Sequence, residues 1–378
     1  MKILLVTKSF SAGGSASGAG NLARALESVG IEVVRLDAYA AQKRCWHGGA
    51  RLAERVFEHV FFDAETHCLR LAPPVFRLPE LVAAHRPDLV QLCDVSGNVI
   101  RFADLRHLPC PVVHRMSDFW PYHGPHHYAM SPGKGPLSAQ WLLKTSVFSG
   151  AELPDVRVAP SAWLGDLLAR HAPDPGRIRI IRNAVAIPKN VSRAAVNPGV
   201  LRFGFIATHV LDPRKGLRTA LPRLEALARQ GVRVCLHLYG RITNEQLPRL
   251  SRVEVVGHGP FDRAQLARVF DSFDILLCPS RLDNSPNTLC EALAHGRPVI
   301  AQGGCGMDSY LDGSTGALVD FWSNRPAAGQ GFVDSALRIA ADYRNYSSSA
   351  ATYAARHLSL PTIGWAYLDL YRELVARY

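Results

Sequence analysis

Short apolar runs alternate with longer amphipathic stretches along almost the whole chain. The short runs are rich in Val, Ile and Leu and predict β-strands, whereas apolar residues three or four positions apart predict helices between them. The predicted strands cover residues 3–6, 31–36, 89–92, 112–114, 156–159, 202–206, 234–239, 253–256, 275–278, 298–301 and 317–319. The predicted helices cover residues 21–29, 79–85, 161–171, 216–230, 263–270, 288–295 and 332–345. This alternation is typical of an α/β protein with helices on both faces of parallel sheets.

The pattern is interrupted near its middle, which divides the chain into two predicted domains. At 378 residues the chain is long enough for two average domains. Residues 186–199 have no hydrophobic period and carry Pro, Asn and Gly, so we predict a linker there. The first domain is expected over residues 1–190 and the second over residues 198–358. Residues 360–378 predict one long final helix.

Composition predicts a globular protein of the cytoplasm. Hydrophobic residues make up 48% of the chain and charged residues 20%, and no apolar run reaches the roughly 18 residues of a membrane span. Residues 1–7 predict a first strand rather than a signal peptide. The 8 cysteines form no CxxC pair and no metal-ligand spacing, which is typical of a reducing compartment.

The formal net charge of +11 allows three anionic partners: nucleic acid, a membrane surface or a pyrophosphate-bearing acceptor. The sequence has no zinc-finger, RNP or arginine-rich motif, so we expect no nucleic acid. Residues 43–47 and 51–62 mix basic residues with Trp, Phe and Leu at helical spacing. This segment predicts either an amphipathic helix packed on the sheet or peripheral contact with an anionic membrane surface.

The strongest chemical signal lies at residues 279–301, where a polar loop joins a predicted strand to a predicted helix. Pro286 is typical of a first helical turn. The amides of Asn287, Thr288 and Leu289 are then expected to lack partners within the helix. Such amides lie at the positive end of the helix dipole, so we predict a phosphate position there.

Two carboxylates, Asp283 and Glu291, flank this phosphate position with seven residues between them. Carboxylates beside a phosphate fit a ligand that also carries many hydroxyl groups, and a nucleotide-sugar is such a ligand. The alternative is an ordinary loop–helix unit of an α/β domain without a ligand.

Two adjacent cations, Arg214 and Lys215, stand between a predicted strand and a predicted helix. A guanidinium can hold two phosphate oxygens at once, and an ammonium acts as a point charge. Together they can neutralise a departing diphosphate, which carries the negative charge as a glycosidic bond breaks. A charged turn exposed to solvent is the alternative interpretation.

Glycines near the N terminus offer another place for an anion. Gly13 and Gly14 lie between the first strand and the helix predicted from residue 21, where the backbone can approach a ligand closely. Residues 18–23 also fit the GxGxxA pattern of a dinucleotide-binding fold, and Asp37 ends the second strand. About ten residues separate that pattern from the first strand, too many for the tight turn of a dinucleotide site.

Residues 114–128 follow a predicted strand and are expected at the carboxyl edge of the sheet, where α/β proteins bind ligands. Trp120 offers a ring on which a sugar can stack, and Asp118 or His127 can bind a hydroxyl group. We therefore expect this loop to bind a sugar that acts as an acceptor, with simple loop packing as the alternative. Its three clustered histidines allow a zinc hypothesis, but no Cys or Glu completes a ligand set, so we expect no metal.

These motifs resemble those of the retaining glycosyltransferases of family 4. Residues 283–300 read Asp-Asn-Ser-Pro-Asn-Thr-x2-Glu-Ala-Leu-Ala-x-Gly-x-Pro-Val-Ile. This form is similar to the family branch of bacterial exopolysaccharide assembly, including colanic-acid-type transferases, with Asp283 in place of the first glutamate. Asp-Pro-Arg-Lys-Gly at residues 212–216 resembles the family element that holds the donor pyrophosphate. Residues 117–128 resemble the branch's Asp-x-Trp-Pro loop, although Pro125 and His126 replace a glycine and a cysteine.

The resemblance implies the GT-B fold, with two Rossmann-like parallel-sheet domains facing a cleft and the final helix crossing back to the first domain. It implies an acceptor-binding first domain and a second domain that binds the nucleotide-sugar, whose nucleobase the loops at Gly240 and Gly259 frame. The implied catalytic residues are Asp283, Arg214, Lys215 and Asp118. The implied donor-binding residues are Glu291, Asn287, Thr288, Leu289, Gly14, Gly240 and Gly259. The implied acceptor-binding residues are Gly13, Trp120 and His127.

The implied activity is transfer of a sugar from a GDP- or UDP-sugar to a saccharide or lipid-linked acceptor, with the anomeric configuration retained. No cofactor or metal is expected, because protein cations replace the metal. Two other classes stay open: a nucleotide-sugar epimerase or phosphorylase on the same architecture, and a non-catalytic protein that only binds nucleotide-sugars.

Overall fold

The computed structural model describes residues 1–11, 13–42, 74–118, 120, 154–171, 174–191, 199–243 and 246–378. The chain divides into two compact units: unit 1 comprises Met1–Ala184 and Leu360–Tyr378, and unit 2 comprises Val185–Ser359. Each unit is built on one six-stranded parallel sheet, which confirms the predicted α/β class with two Rossmann-like domains. The predicted amphipathic segment at residues 43–47 and 51–62 lies outside the described residues, and so does half of the predicted linker, residues 192–198.

Unit 1 contains the sheet formed by the first half of the chain. Its strands are β1 (Lys2–Thr7), β2 (Glu32–Asp37), β3 (Leu89–Leu92), β4 (Val112–Arg115), β5 (Val156–Ala159) and β6 (Ile178–Ile180). Their order in the sheet is β2-β1-β3-β4-β5-β6, so the direction of winding reverses between β1 and β3. Its helices before the linker include α1 (Gly13–Ser28), α2 (Ala38–Gln42), α3 (Leu78–His85) and α4 (Ala162–His171). Strands β3, β4 and β5 are buried throughout, as expected of a parallel sheet covered on both faces.

The last helix of the chain, α10 (Leu360–Val375), belongs to unit 1 and packs against α1. Gly364 permits this close approach, because a Cβ there would lie 2.3 Å from the carbonyl oxygen of Ala25. The Tyr371 hydroxyl is fully buried and donates to Oε1 of Gln91 on β3 at 2.6 Å. Apolar packing and one buried hydrogen bond therefore hold α10 to the first sheet.

Unit 2 follows the same plan with a different winding. Its strands are β7 (Leu201–His209), β8 (Val234–Arg241), β9 (Val253–Gly259), β10 (Ile275–Cys278), β11 (Val299–Gln302) and β12 (Gly316–Val319). Their order is β12-β11-β10-β7-β8-β9, so the winding reverses between β7 and β10. Its helices include α5 (Leu217–Ala228), α6 (Leu266–Asp271), α7 (Asn287–Ala294), α8 (Pro326–Ala341) and α9 (Tyr343–His357). The core joins the central strands to α5 and α8 through Phe203, Leu236, Ile275, Leu224 and Phe332.

The start of α1 differs from the sequence prediction. The helix begins at Gly13 rather than at residue 21, because Ala16 and Ala19 are buried on its inner face and this packing outweighs the low helix propensity of Gly and Ser. Gly18 and Gly20 therefore lie inside a helix, and the dinucleotide-type turn is absent. Gly18 has a packing reason to be glycine, since a Cβ there would lie 2.7 Å from Nη2 of Arg115.

The structure also differs from the single helix predicted at residues 332–345. That region contains the end of α8 and the start of α9, which meet at Asp342. The backbone of Asp342 has φ −122° and ψ 35°, which is not helical. Helix α9 was not predicted because its first turns are polar, with the sequence Tyr-Arg-Asn-Tyr-Ser-Ser-Ser. No helix in the described parts of the chain has both the length and the apolar character needed to cross a membrane.

Candidate functional site

The two strongest sequence motifs meet at the point where the winding of the unit 2 sheet reverses. Strand β7 leads into the loop of Arg214 and Lys215, and its neighbour β10 leads into the loop of Asp283. In open α/β sheets, ligands bind outside the carboxyl ends of the strands at this reversal, because the two loops diverge and leave a crevice. The fold therefore places both motifs where a ligand site is expected.

Close backbone contacts join these two loops. Gly216 has φ +74°, and a Cβ there would lie 2.2 Å from the carbonyl oxygen of Pro279. The amide of Arg281 donates to the carbonyl of Arg214 at 2.9 Å. Only glycine fits at position 216, since it must combine a left-handed backbone with close approach to the second loop.

The cations of the first loop are paired with carboxylates. Asp212 accepts from the amide of Arg214 at 2.9 Å and from its Nη2 at 2.9 Å, which fixes a short 3₁₀ turn. Nζ of Lys215 lies 2.8 Å from Oδ2 of Asp283, whose side chain is 9% exposed. The Asp283 carboxylate raises the pKa of Lys215, so this ammonium stays charged. The sequence analysis named both members of this pair but did not predict that they touch.

The loop of Asp283 is also supported from its other side. The amide of Gly306 donates to the carbonyl of Asp283 at 3.0 Å. A Cβ on Gly306 would lie only 1.8 Å from the carbonyl oxygen of Asn284, so this second glycine is required for the contact. The sequence analysis missed Gly306, although its glycine-rich surroundings at residues 303–306 follow strand β11 and could have been noticed.

The start of α7 agrees only in part with the predicted phosphate position. Pro286 precedes the helix with an extended backbone, and Asn287 and Thr288 form its half-buried first turn. The amide of Leu289, however, donates to the carbonyl of Pro286 at 3.1 Å. The prediction that the Leu289 amide is available to an anion is therefore wrong, because the first turn closes on itself in a 3₁₀ hydrogen bond.

Glu291 lies on α7 with only 7% of its surface exposed. Its Oε1 accepts from Nη2 of Arg263 at 3.1 Å. Burial raises the pKa of Glu291, and the neighbouring guanidinium opposes that rise. Arg263 was missed because nothing in the local sequence around it indicates which side chain it reaches across the fold.

The glycines predicted beside a nucleobase lie at the ends of neighbouring strands. Gly240, near the end of β8, has φ +133°, and a Cβ there would overlap the carbonyl oxygen of Ala207, so packing alone requires a glycine. Gly259 ends β9 with φ +73° and open space around the Cβ position. Beside them the rings of Tyr239 and His258 are stacked at 4.4 Å with an interplanar angle of 6°, a feature that the sequence analysis missed.

Unit 1 has its own group of polar residues at the reversal between β1 and β3. Gly13 starts α1 with φ +89°, and no atom lies within 4 Å of a Cβ built on Gly14. Close by, Oγ of Ser15 donates to Oδ2 of Asp94 at 3.0 Å, and the Lys8 amide donates to the Asp94 carbonyl at 2.6 Å. Asp94 lies two residues after the end of β3 and was missed, because a single aspartate after a strand carries no motif.

The loop after β4 corrects one predicted role. Oδ1 of Asp118 accepts from the amide of Trp120 at 2.9 Å and so closes a turn. Trp120 is only 6% exposed and packs edge-on against Phe102, with ring centroids 5.8 Å apart. The prediction that Trp120 offers its face to a sugar is therefore wrong, because its ring belongs to the hydrophobic core under β4.

His127 lies outside the described residues. Among the residues that are described, no three His, Cys, Asp or Glu side chains come together as a metal site.

Comparison with protein families gives two matches in chain order. Residues 12–187 match the family described as Glycosyltransferase Family 4, and residues 201–341 match the family described as Glycosyl transferases group 1. The glycosyl transferase WcaC of Escherichia coli K12, assigned to colanic acid biosynthesis, is 32% identical over 130 residues. That match spans 34% of this chain and 31% of the relative, so the chain covers about a third of this relative's length.

Solved structures share the fold over the whole chain. Anabaena HepE in complex with UDP superposes with a TM-score of 0.63 at 18% identity, covering 99% of this chain and 100% of that one. Sucrose-phosphate synthase from Thermosynechococcus elongatus gives a TM-score of 0.66 at 17% identity, covering 100% of both chains. These likenesses establish a GT-B architecture of two Rossmann-like domains. The two family matches, which together cover residues 12–187 and 201–341, show that this chain belongs to glycosyltransferase family 4.

Proposed function

We propose that the protein transfers a sugar from a nucleotide-sugar to a saccharide or lipid-linked acceptor in bacterial polysaccharide or glycoconjugate synthesis, with retention at the anomeric carbon. The observation that carries this proposal is the meeting of Arg214, Lys215, Asp283 and α7 at the sheet reversal of unit 2. Cations and carboxylates side by side match a ligand with a diphosphate at one end and sugar hydroxyls at the other.

Each charged group has a role in this proposal. Arg214, Lys215 and the amides of Asn287 and Thr288 stabilise the diphosphate as it leaves, because preorganised positive groups act most strongly where negative charge develops. Glu291 accepts hydrogen bonds from the ribose. Asp283 holds Lys215 and, through its remaining oxygen, binds hydroxyls of the transferred sugar.

A diphosphate must compete with the ion pairs that these cations already form. Lys215 is paired with Asp283 at 2.8 Å, and Arg214 with Asp212 at 2.9 Å. Both cations keep about a third of their side-chain surface exposed, 38% for Arg214 and 35% for Lys215, so phosphate oxygens can reach them without breaking either pair. The paired carboxylates then hold the cations in place before the donor binds.

The acceptor is proposed to bind to unit 1, in the region of Gly13 and Asp118. The acceptor hydroxyl loses its proton to the departing phosphate, so no protein nucleophile is needed for retention. Support for a glycan acceptor comes from the similarity to a transferase assigned to colanic acid biosynthesis. Peripheral contact with an anionic membrane surface fits a lipid-linked acceptor and the net charge of +11.

Binding of the donor can be tested directly by calorimetry. Titration with UDP, GDP, UDP-glucose and GDP-mannose should give saturable binding for the nucleotides of one base and much weaker binding for those of the other. The anomeric configuration of the product, read by proton NMR of the isolated glycan, should match that of the donor. Preferred transfer to water or phosphate would instead favour a hydrolase or phosphorylase.

Removal of divalent cations is expected to leave the transfer rate within about twofold of the untreated enzyme, because protein cations take the role of the metal. The measurement is the initial rate after dialysis against EDTA, with and without added Mg²⁺ or Mn²⁺. A more than tenfold loss that the metal restores would show that the diphosphate leaves as a metal complex.

A further inference from the structure

The contact between Arg263 and Glu291 joins two parts of unit 2 that are far apart in sequence. Arg263 follows β9, whereas Glu291 lies in the middle of α7. Nη2 of Arg263 lies 3.1 Å from Oε1 of Glu291. The arginine side chain is 49% exposed and the glutamate only 10%, so a cation at the surface reaches a carboxylate that is almost fully buried.

The backbone of Arg263 is held firmly by its neighbours. Asp262 and Gln265 form a capping box, in which the Asp262 amide donates to Oε1 of Gln265 at 2.9 Å. Arg263 begins the 3₁₀ turn that this box closes, and the turn leads directly into α6. The guanidinium therefore starts from a fixed point, which reduces the entropy lost when it binds Glu291.

The pair uses only one of the two carboxylate oxygens. Oε1 accepts from Arg263, and within the described residues no group donates a hydrogen bond to Oε2. A buried carboxylate is costly unless it is paired, so the guanidinium favours the ionised form and fixes its rotamer. The second oxygen is then a strong, preoriented acceptor for a hydroxyl group.

We propose that Arg263 is a positioning residue for the nucleoside of the donor, holding Glu291 so that its second oxygen accepts a hydrogen bond from a ribose hydroxyl. This inference rests on the proposed function, because it names a residue that acts through Glu291 on the same ligand. Arg263 contributes recognition of the ribose rather than of the diphosphate. Its loss should therefore weaken discrimination between ribose and deoxyribose nucleotides.

The test compares UDP and GDP with their 2′-deoxy and 3′-deoxy counterparts by calorimetry. In the wild-type protein, loss of the recognised hydroxyl should weaken binding of the preferred nucleotide by about 10–100-fold, since a charged acceptor loses its partner. We call the ratio of the affinities for the ribonucleotide and the deoxynucleotide the deoxy penalty. Arg263→Ala should bind the ribonucleotide about 3–10-fold more weakly and reduce the deoxy penalty to less than about threefold. Arg263→Lys should restore most of the penalty, because the cation is retained.

Arg268→Ala is the matched control. Arg268 is an exposed arginine on α6, so this substitution removes the same charge close to Arg263. It should leave both the affinity and the deoxy penalty unchanged. Glu291→Gln should also remove the penalty, and combining it with Arg263→Ala should give little further loss. In steady-state transfer, Arg263→Ala should raise KM for the donor and leave kcat within about threefold.

The outcomes separate this inference from the proposed function. If neither UDP nor GDP binds to the wild-type protein, the proposed function fails. If the nucleotide binds and Arg263→Ala keeps the full deoxy penalty, or the wild type shows none, the positioning role is wrong while the donor site stands. If Arg263→Ala does not fold, Arg263→Gln, which removes the charge but keeps an unbranched polar side chain, decides the same comparison.

Discussion

Replacement of Lys215 by alanine is expected to lower kcat for sugar transfer by about 10²–10³-fold. The ammonium is already fixed 2.8 Å from Asp283 at the sheet reversal, so it needs no rearrangement when charge develops on the leaving diphosphate. Its effect is largest in the transition state, and KM for the donor should change much less than kcat. Initial rates over a range of donor concentrations, measured for the purified variant, give both constants.

Two companion variants distinguish catalysis from charge or stability. Arg218→Ala removes an exposed cation from the first turn of α5 and should leave kcat within about twofold. Lys215→Ala leaves the Asp283 carboxylate, whose residue is 6% exposed, without its cation, so the variant should also unfold more easily. Asp283→Asn in the Lys215→Ala protein should recover stability without recovering the rate. A kcat for Lys215→Ala within threefold of the wild type would show that Lys215 does not stabilise the leaving group.

The fold was predictable because its strands carry a strong signal. Strands such as β1 and β10 are buried on both faces, so their sequences carry continuous apolar runs, Ile3–Val6 and Ile275–Cys278, bounded by polar residues. The elements that were missed are those whose burial is one-sided or partial. Strand β6 reads Ile-Arg-Ile and is only half-buried or exposed, and the polar start of α9 hides its inner face.

The candidate site was predictable as a set of motifs but not as a set of contacts. Each motif is continuous in sequence, so residues 212–216 and 283–291 could be identified without a structure. The pairing of Lys215 with Asp283 crosses 68 residues, and that of Arg263 with Glu291 crosses 28. Such contacts depend on strand order and loop closure, for which the local sequence holds no signal.

Trp120 shows the opposite error, in which a residue type suggested more than its environment allows. An aromatic residue after a strand can bind a sugar or fill the core, and we expected sugar binding for Trp120 although the residue type alone does not distinguish the two. Its ring packs on Phe102 under β4, so burial of apolar area decides the outcome. The resemblance to a family loop therefore gave a wrong expectation for Trp120, because its ring is buried against Phe102 and offers no face to a sugar.

Gly216→Ala is expected to destabilise the protein by about 3–5 kcal/mol and to weaken nucleotide binding by at least about tenfold. Two effects add at this position. An alanine must adopt φ +74°, and its Cβ must also avoid the carbonyl oxygen of Pro279, which lies 2.2 Å from the ideal Cβ position. The clash is with backbone, so it can be relieved only by moving the two loops apart.

Gly231→Ala provides the matched control for this prediction. Gly231 lies just beyond the other end of α5 with φ +86°, and no atom lies within 4 Å of its ideal Cβ position. It carries the conformational penalty alone, about 1–2 kcal/mol, and should bind nucleotide like the wild type. Chemical denaturation and calorimetry of both variants give the two comparisons. Equal destabilisation and equal affinity in the two variants would mean that the loops do not depend on close approach at Gly216. A larger loss of stability and of nucleotide affinity in Gly216→Ala than in Gly231→Ala would show that nucleotide binding requires the close approach of the two loops as well as their side chains.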